Sequence, residues 1–331
     1  ASPLTFSLGS CSAAKRTGHP APGKVQNDSS LRLAKRYSGR VRVLIIGCGY
    51  VGEALGQRLI ALGHDVTGIR RSSEHNDRRA KLGIRPLNLD ITQEGEFAKL
   101  DGQYDWVVIA ISSSRGGEDA YKQVFGLGTK HIAQWLKTAD TSSAVFISST
   151  GVYRHTNAEW VFENGADTPD NITTKTLRGA EREIATAGPS VAILRSSGIY
   201  GPGRGYLFQQ FMSGNATIES DGKRFLNMVH RNDLAEAIVR ALTHPGQGAN
   251  IYNITDDEPV TQLDFFTWLS EATGRPMPPF VPEPDPSTRK RGITNKRVSN
   301  DLFKWVSGFQ YKYPTFREGL TEELKNWKAT S

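Results

Sequence analysis

The chain has 331 residues, 37% of them hydrophobic and 23% charged, enough for one large or two modest domains with a filled core. No apolar run nears the roughly 18 residues of a membrane-spanning helix. Two cysteines, Cys11 and Cys48, are too few and too badly spaced for a disulfide framework or a zinc site. Of the net charge of +7, six units belong to the leader: residues 1–40 hold seven cations against the single acid Asp28, leaving 34 basic and 33 acidic residues beyond. The body has no basic field, which argues against nucleic acid as a partner.

Residues 1–40 are rich in Ser, Lys and Arg, poor in acids and broken by Pro20, Pro22 and Gly23. They carry no hydrophobic period and are expected to be disordered. This is the composition of an organellar transit peptide, with the chloroplast stroma expected ahead of the mitochondrion; a flexible basic tail is the alternative. From Val41, VRVLIIG reads as a strand buried on both faces. A helix follows, with Val51, Leu55, Leu59 and Leu62 on one stripe, then a second strand, HDVTGIR. A third strand is predicted over Ile84–Leu89 and a fourth over 106–112. Next comes an amphipathic helix through Tyr121, Val124, Phe125, Ile132 and Leu136, and a fifth strand over 144–150. Alternating strands and helices specify an α/β fold, a doubly wound parallel sheet of Rossmann type. Beyond the turn-rich GPGRG (201–205) the texture changes. A helix is expected over 233–242, another capped by Thr261, and a proline-rich connector over 276–286. The expected division is leader 1–40, dinucleotide-binding domain 41–200, and a smaller, discontinuous substrate lobe over 201–331.

The strongest chemical signal is Gly47-Cys48-Gly49-Tyr50-Val51-Gly52, placed directly after a strand and opening a helix. Gly47 permits the tight turn, Gly49 lets backbone approach a diphosphate, and Gly52 lets helix pack on strand. The helix N-terminus then offers N–H groups to the phosphates. Cys48 reads as a small packing residue, with a redox thiol as the alternative. At the end of the second strand Arg70, Arg71 and Ser72 stand where an NAD site usually places an acid. Guanidiniums pair well with phosphate, so NADP is expected over NAD. Asp90 and Ile91 are candidate adenine-side contacts, and Ala110 and Ile111 should lie along the cofactor.

With FISSTGVY (146–153), ILRSSGIYGPGR (193–204), LNMVHRNDLAEAI (226–238), GANIYNITDDEPVT (248–261) and KRVSNDLF…YPTFREGL (296–320) added to this loop, the chain resembles the short-chain dehydrogenase/reductase superfamily. The likeness is to its extended and atypical branches, nearest the YeeZ-like members, and it covers nearly everything from residue 41. It implies an oxidoreductase or epimerase-like activity on a carbonyl or alcohol of a small, anionic, nucleotide-sugar-like substrate. In this family the last hydroxyl of the fifth strand orients the reacting oxygen; the matching residue is Ser149, with Thr150 beside it. The family also places a tyrosine, and a lysine four residues on, in the next helix, where the tyrosine acts as general acid or base. Here Thr173 and Leu177 fall at those positions, and no tyrosine occurs between Tyr153 and Tyr200.

Tyr153, His155, Lys175 and Tyr200 are the substitutes on offer, each with a structural reading beside it. His230 and Asp233 mark a strand-to-helix corner, Asp233 being read as the cap of a helix beginning at Leu234. Arg204, Arg289, Lys290, Arg291, Lys296 and Arg297 are candidates for an anionic substrate, or simply solvated cations. Two functions follow: an NADP-dependent enzyme, or a non-catalytic NADP-binding subunit or assembly factor of an organellar complex. The chain is expected to act as a homodimer or within such a complex.

Overall fold

The computed structural model describes residues 39–100, 103–113, 116–165, 171–188, 190–244, 248–283 and 294–330. The leader up to residue 38, and Arg289, Lys290 and Arg291, lie outside the described residues. In chain order the first half comprises β1 (Arg42–Ile46), α1 (Tyr50–Ala61), β2 (Asp65–Arg70), α2 (Asn76–Lys81), β3 (Arg85–Asn88) and β4 (Trp106–Ile109). A long helical stretch follows, α3 (Gly117–Tyr121) and α4 (Thr129–Leu136) joined by π-helical turns over Lys122–Gly128. Then come β5 (Ser143–Ser149), β6 (Glu159–Val161), α5 (Ile172–Ala185), β7 (Ser190–Ser196) and β8 (Gly198–Tyr200).

The second half holds α6 (Tyr206–Met212), β9 (Ile218–Glu219), β10 (Phe225–Leu226), β11 (Met228–His230), α7 (Arg231–Thr243) and β12 (Gly248–Ile254). It ends with β13 (Val260–Thr261), α8 (Gln262–Thr273), β14 (Phe280–Val281), β15 (Lys296–Val298), α9 (Asp301–Ser307) and α10 (Phe316–Thr330). Thr261 caps α8 as the sequence suggests, its Oγ1 accepting the N–H of Asp264 at 3.1 Å. No helix among the described residues is long and apolar enough to cross a membrane.

Seven strands form one parallel sheet in the order β12-β7-β5-β4-β1-β2-β3. Both faces are buried, as a parallel sheet requires. Val43 and Ile45 of β1 face one side with Leu55, Leu59, Leu234 and Ile238; Leu44 and Ile46 face the other with Phe125, Ile132, Leu177 and Ile184. The chain order reverses between β1 and β4, which opens the crevice at their carboxyl ends where such sheets bind ligand. Because β12 is the seventh strand, the boundary expected at residue 200 does not divide the sheet. α7 packs on the sheet and β12 joins it, and a separate core of Tyr200, Phe208, Phe211, Phe265, Phe266 and Phe316 holds the lobe beyond.

Candidate functional site at the carboxyl edge of the sheet

The glycine loop is tied down by backbone. Gly47 and Cys48 both donate to the carbonyl of Ile69 at the end of β2, at 3.0 and 2.9 Å, and Gly49 donates back to Gly47 at 2.7 Å. Gly47 has φ +92°, and a Cβ there would stand 2.5 Å from the carbonyl oxygen of Ala110, so only glycine lets β1 and β4 close at the crevice. A Cβ on Gly52 would press on Ile45 at 3.0 Å and the Gly47 carbonyl at 3.1 Å. Gly49 differs: its missing Cβ would meet little but the guanidinium of Arg70, 3.7 Å away. No side chain caps α1, so its first-turn N–H groups face an open cradle suited to an anion. Val51 is buried in the α1 interface, and the Tyr50 ring lies under the guanidiniums of Arg204 and Arg231. This loop fits a dinucleotide diphosphate.

Cys48 is packing, not redox chemistry. It lies fully buried beneath Gly68, whose absent Cβ would clash with its Sγ at 2.7 Å. Burial, reinforced by Glu53, pushes its thiol up to about 12. Beyond β2, Arg71 and Ser72 are exposed and Arg70 partly so. The Ser72 hydroxyl accepts the N–H of Glu74 at 3.1 Å and keeps its proton to donate. Asp90 is engaged in a turn, one oxygen receiving both the N–H and the hydroxyl of Thr92. Ile91 seats against Gly128 of the π-helical turns, and its carbonyl bonds the His131 ring at 2.9 Å. Ala110 donates to Ile46 at 2.7 Å, with half-buried Ile111 next along the crevice.

At the β5 end, Ser149 is half-exposed, and its Oγ accepts the N–H of Gly151 at 3.1 Å. Its proton stays available for a second bond. Ser149 stands in register with Ser196 of β7, so two hydroxyl residues meet at this edge. Thr150 is buried, and its carbonyl receives Tyr153 N–H. Thr173 lies on the buried face of α5, near Leu177, which belongs to the core. Asn171 caps α5, accepting from Thr174 N–H at 2.8 Å.

Next to this edge runs a closed polar network that the sequence did not announce. Ser148 donates to Glu181 at 2.6 Å; Arg195, 1% exposed, grips both Glu181 oxygens at 2.9 and 2.8 Å. The same guanidinium reaches the Tyr153 hydroxyl at 2.9 Å, which donates to Asn253 at 2.6 Å. Tyr153 is thereby a structural post, its phenol pushed up by burial. Tyr200 is also buried, and burial with Asp256 and Asp233 nearby pushes it further up. Lys175 is exposed on α5, and His155 sits in a loop pairing with Asn295. Neither tyrosine is poised to release a proton near neutrality.

Two readings of the lobe need correction. His230, not Asp233, caps the helix, which begins at Arg231: its Nδ1 accepts the N–H of Asn232 at 3.2 Å. Asp233 instead receives the N–H groups of Lys312 and Tyr313 at 2.9 and 2.8 Å, binding the C-terminal segment to α7. The anion-binding reading of Lys296 also fails, because it is buried and its Nζ donates to the Tyr153 carbonyl at 2.8 Å. Arg297 donates to the Ala158 carbonyl and lies over Trp160 and Phe225. Arg204 remains exposed in its turn.

A parallel sheet with its order reversal beside a glycine loop and a helix N-terminus defines a dinucleotide-binding protein. Residues 43–255 match the NAD dependent epimerase/dehydratase family. The chain belongs to that family, in the extended and atypical branch of the short-chain dehydrogenases/reductases, whose members bind an NAD(P) nucleotide. It is 28% identical over 280 residues to protein YeeZ of Escherichia coli K12, covering 82% of this chain and 96% of that one. It is 24% identical over 311 residues to a 3-diazoavenalumate denitrifying reductase of Streptomyces, covering 86% and 100%. Among solved structures, a functionally unknown conserved protein of Silicibacter pomeroyi superposes with a TM-score of 0.69 at 29% identity, covering 85% of this chain and 96% of that one.

Proposed function

We propose that the chain is an NADP(H)-dependent oxidoreductase or epimerase-like enzyme acting on a carbonyl or alcohol carbon of a small, anionic, nucleotide-sugar-like substrate. The observation that carries the cofactor choice is the Arg70 guanidinium beside Gly49, followed by Arg71 and Ser72 with no acid before Glu74. A 2′-phosphate there gains charge-assisted bonds, whereas the bare ribose of NAD finds no carboxylate. The dinucleotide, when bound, supplies the redox partner for the substrate carbon. The chain's own part is to hold the diphosphate on the glycine loop and to present the Ser149 hydroxyl to the substrate oxygen, where charge develops. The relative described as a reductase supports this reading.

A second reading, a non-catalytic NADP-binding subunit or assembly factor, is favoured by one observation: Tyr153 and Tyr200 are locked in structural contacts and α5 carries no tyrosine. Titration with NADPH and NADH, followed by turnover assays on carbonyl compounds and nucleotide sugars, separates the two. The enzyme reading expects NADPH to bind more tightly than NADH and Arg70→Gln to erase the difference. It also expects Ser149→Ala to lower turnover about 100-fold. Tight NADPH binding without turnover on any substrate would transfer the case to the second reading. The plastid address proposed for the leader is tested by fusing residues 1–40 to a fluorescent protein.

A further inference from the structure

Tyr50, the aromatic residue inside the glycine loop, lies beneath two guanidiniums that come from elsewhere in the chain. Arg231, the first residue of α7, places its guanidinium carbon 4.7 Å from the ring centroid; Arg204, in the turn after β8, places its own at 5.0 Å. These contacts are within cation–π range and fix two otherwise flexible side chains over one ring. The surrounding backbone is built to bring the three segments together. Gly201 and Arg204 exchange both N–H···O bonds, at 2.9 and 2.8 Å, which closes the turn. Gly201 has φ +135°, and a Cβ there would lie 2.8 Å from His230 Nε2 and 3.3 Å from the Tyr50 hydroxyl. No larger residue would let the turn approach the loop this closely.

Charge around the ring is unbalanced. Arg204 is exposed, and Arg231 makes one weak side-chain bond, at 3.4 Å to Asn232. The acid acting on this cluster is Glu323 of α10, one oxygen of which accepts Gly203 N–H at 3.3 Å. Among the described residues, two cations against one acid, beside a helix N-terminus without a side-chain cap, suit a polyanion.

We infer that Arg204 and Arg231, aligned on the Tyr50 ring, form a clasp for the bridging diphosphate of the dinucleotide on the side away from the glycine amides. The inference rests on the cofactor reading above but concerns different atoms: Arg70 answers to the 2′-phosphate, the clasp to the diphosphate shared by NADP and NAD. The ring acts by pre-aligning the two guanidiniums, so its aromaticity matters and its hydroxyl, buried without a hydrogen-bond partner among the described residues, does not.

The test is fluorescence titration of the full chain with NADPH and NADH, without substrate. Arg204→Gln and Arg231→Gln should each weaken both nucleotides about tenfold, by equal factors, as loss of one charge-assisted bond implies. Tyr50→Leu should weaken both about fivefold, and Tyr50→Phe should restore the loss. Glu323→Gln should tighten both about twofold by removing the opposing charge. Thermal unfolding checks each variant's fold, and exposed Arg204 carries the test should Arg231→Gln misfold. If both arginine variants bind the nucleotides as tightly as the parent, or if only NADPH is affected, the clasp is refuted while the cofactor reading stands. If the parent binds neither nucleotide, the cofactor reading falls first.

Discussion

At the β1–α1 end of the cleft, the first-turn N–H groups of α1 have no side-chain cap and the nearby guanidiniums of Arg70 and Arg204 reach solvent. Three strands away, at the β5–β7–β12 end, polar side chains bond one another: Ser148, Glu181, Arg195, Tyr153 and Asn253 are linked and buried. Both ends are rich in polar groups, but at the second the linked side chains are turned inward and Ser149 stands half-exposed at their edge. The contrast separates polar groups open to a ligand from polar groups that hold the fold together. A polar group in a dry interior must be satisfied locally, and once satisfied it is poorly placed to act on a ligand.

The contrast breaks most visibly at Arg195. Arg195→Met leaves Glu181 buried without its cation and should cost about 3–5 kcal/mol, read by urea denaturation. Adding Glu181→Leu should recover much of that loss, because removing both charges is far cheaper than stranding one. A single variant as stable as the parent would mean the network is open to water and available for chemistry. The cofactor end responds to a different change. Gly47→Ala drives a methyl into the Ala110 carbonyl at φ +92° and should cost about 3 kcal/mol while abolishing nucleotide binding. Gly63→Ala is the control: its φ of +88° is similar, but nothing lies within 4 Å of the added carbon. It should cost only about 1 kcal/mol, the backbone term alone. Equal losses at the two glycines would show that Gly47 acts through its dihedral and not through the closeness of β1 to β4.

How far each end was legible in the sequence follows from the same physics. The glycine loop could be read because its function is carried by local backbone: strand, three glycines and helix lie within a dozen residues. Five strands of the parallel sheet were legible in sequence, the clearest being the apolar runs of β1, β4 and β5, whereas β7 and the half-polar β12 were not anticipated. The network could not be read, since Ser148, Glu181, Arg195 and Asn253 are ordinary polar residues until the fold brings them together from across more than 100 positions. Asp233 was misread because a carboxylate near a helix start usually caps it. Here it binds the backbone of residues 312 and 313, some 80 positions on. The short pairs β6–β15 and β9–β14 left no periodic trace, having only two or three residues each.

The finest probe of the boundary between the two regimes is His230, which lies between clasp and lobe and is 2% exposed. Burial, aided by the nearby Arg231 and Lys312, lowers its imidazole to about 4 from an ordinary 6.5, against a weaker opposing pull from Glu322. Its Nδ1 must stay unprotonated to accept the Asn232 N–H that caps α7. The sign follows: between pH 6.5 and 4 the unfolded chain binds a proton that the folded chain refuses, so stability falls on acidification, by about 2 kcal/mol at pH 5. Asp233 and Asp256, both pushed up by burial, act in the opposite direction, so the parent's profile alone is a mixture. His230→Asn isolates the imidazole, since asparagine caps a helix equally well and does not titrate. The stability difference between parent and variant should therefore change by about 2 kcal/mol from pH 7 to pH 5. A difference flat across that range would place His230 in contact with water, and the corner it shares with Tyr50 would then belong to the open half of the cleft.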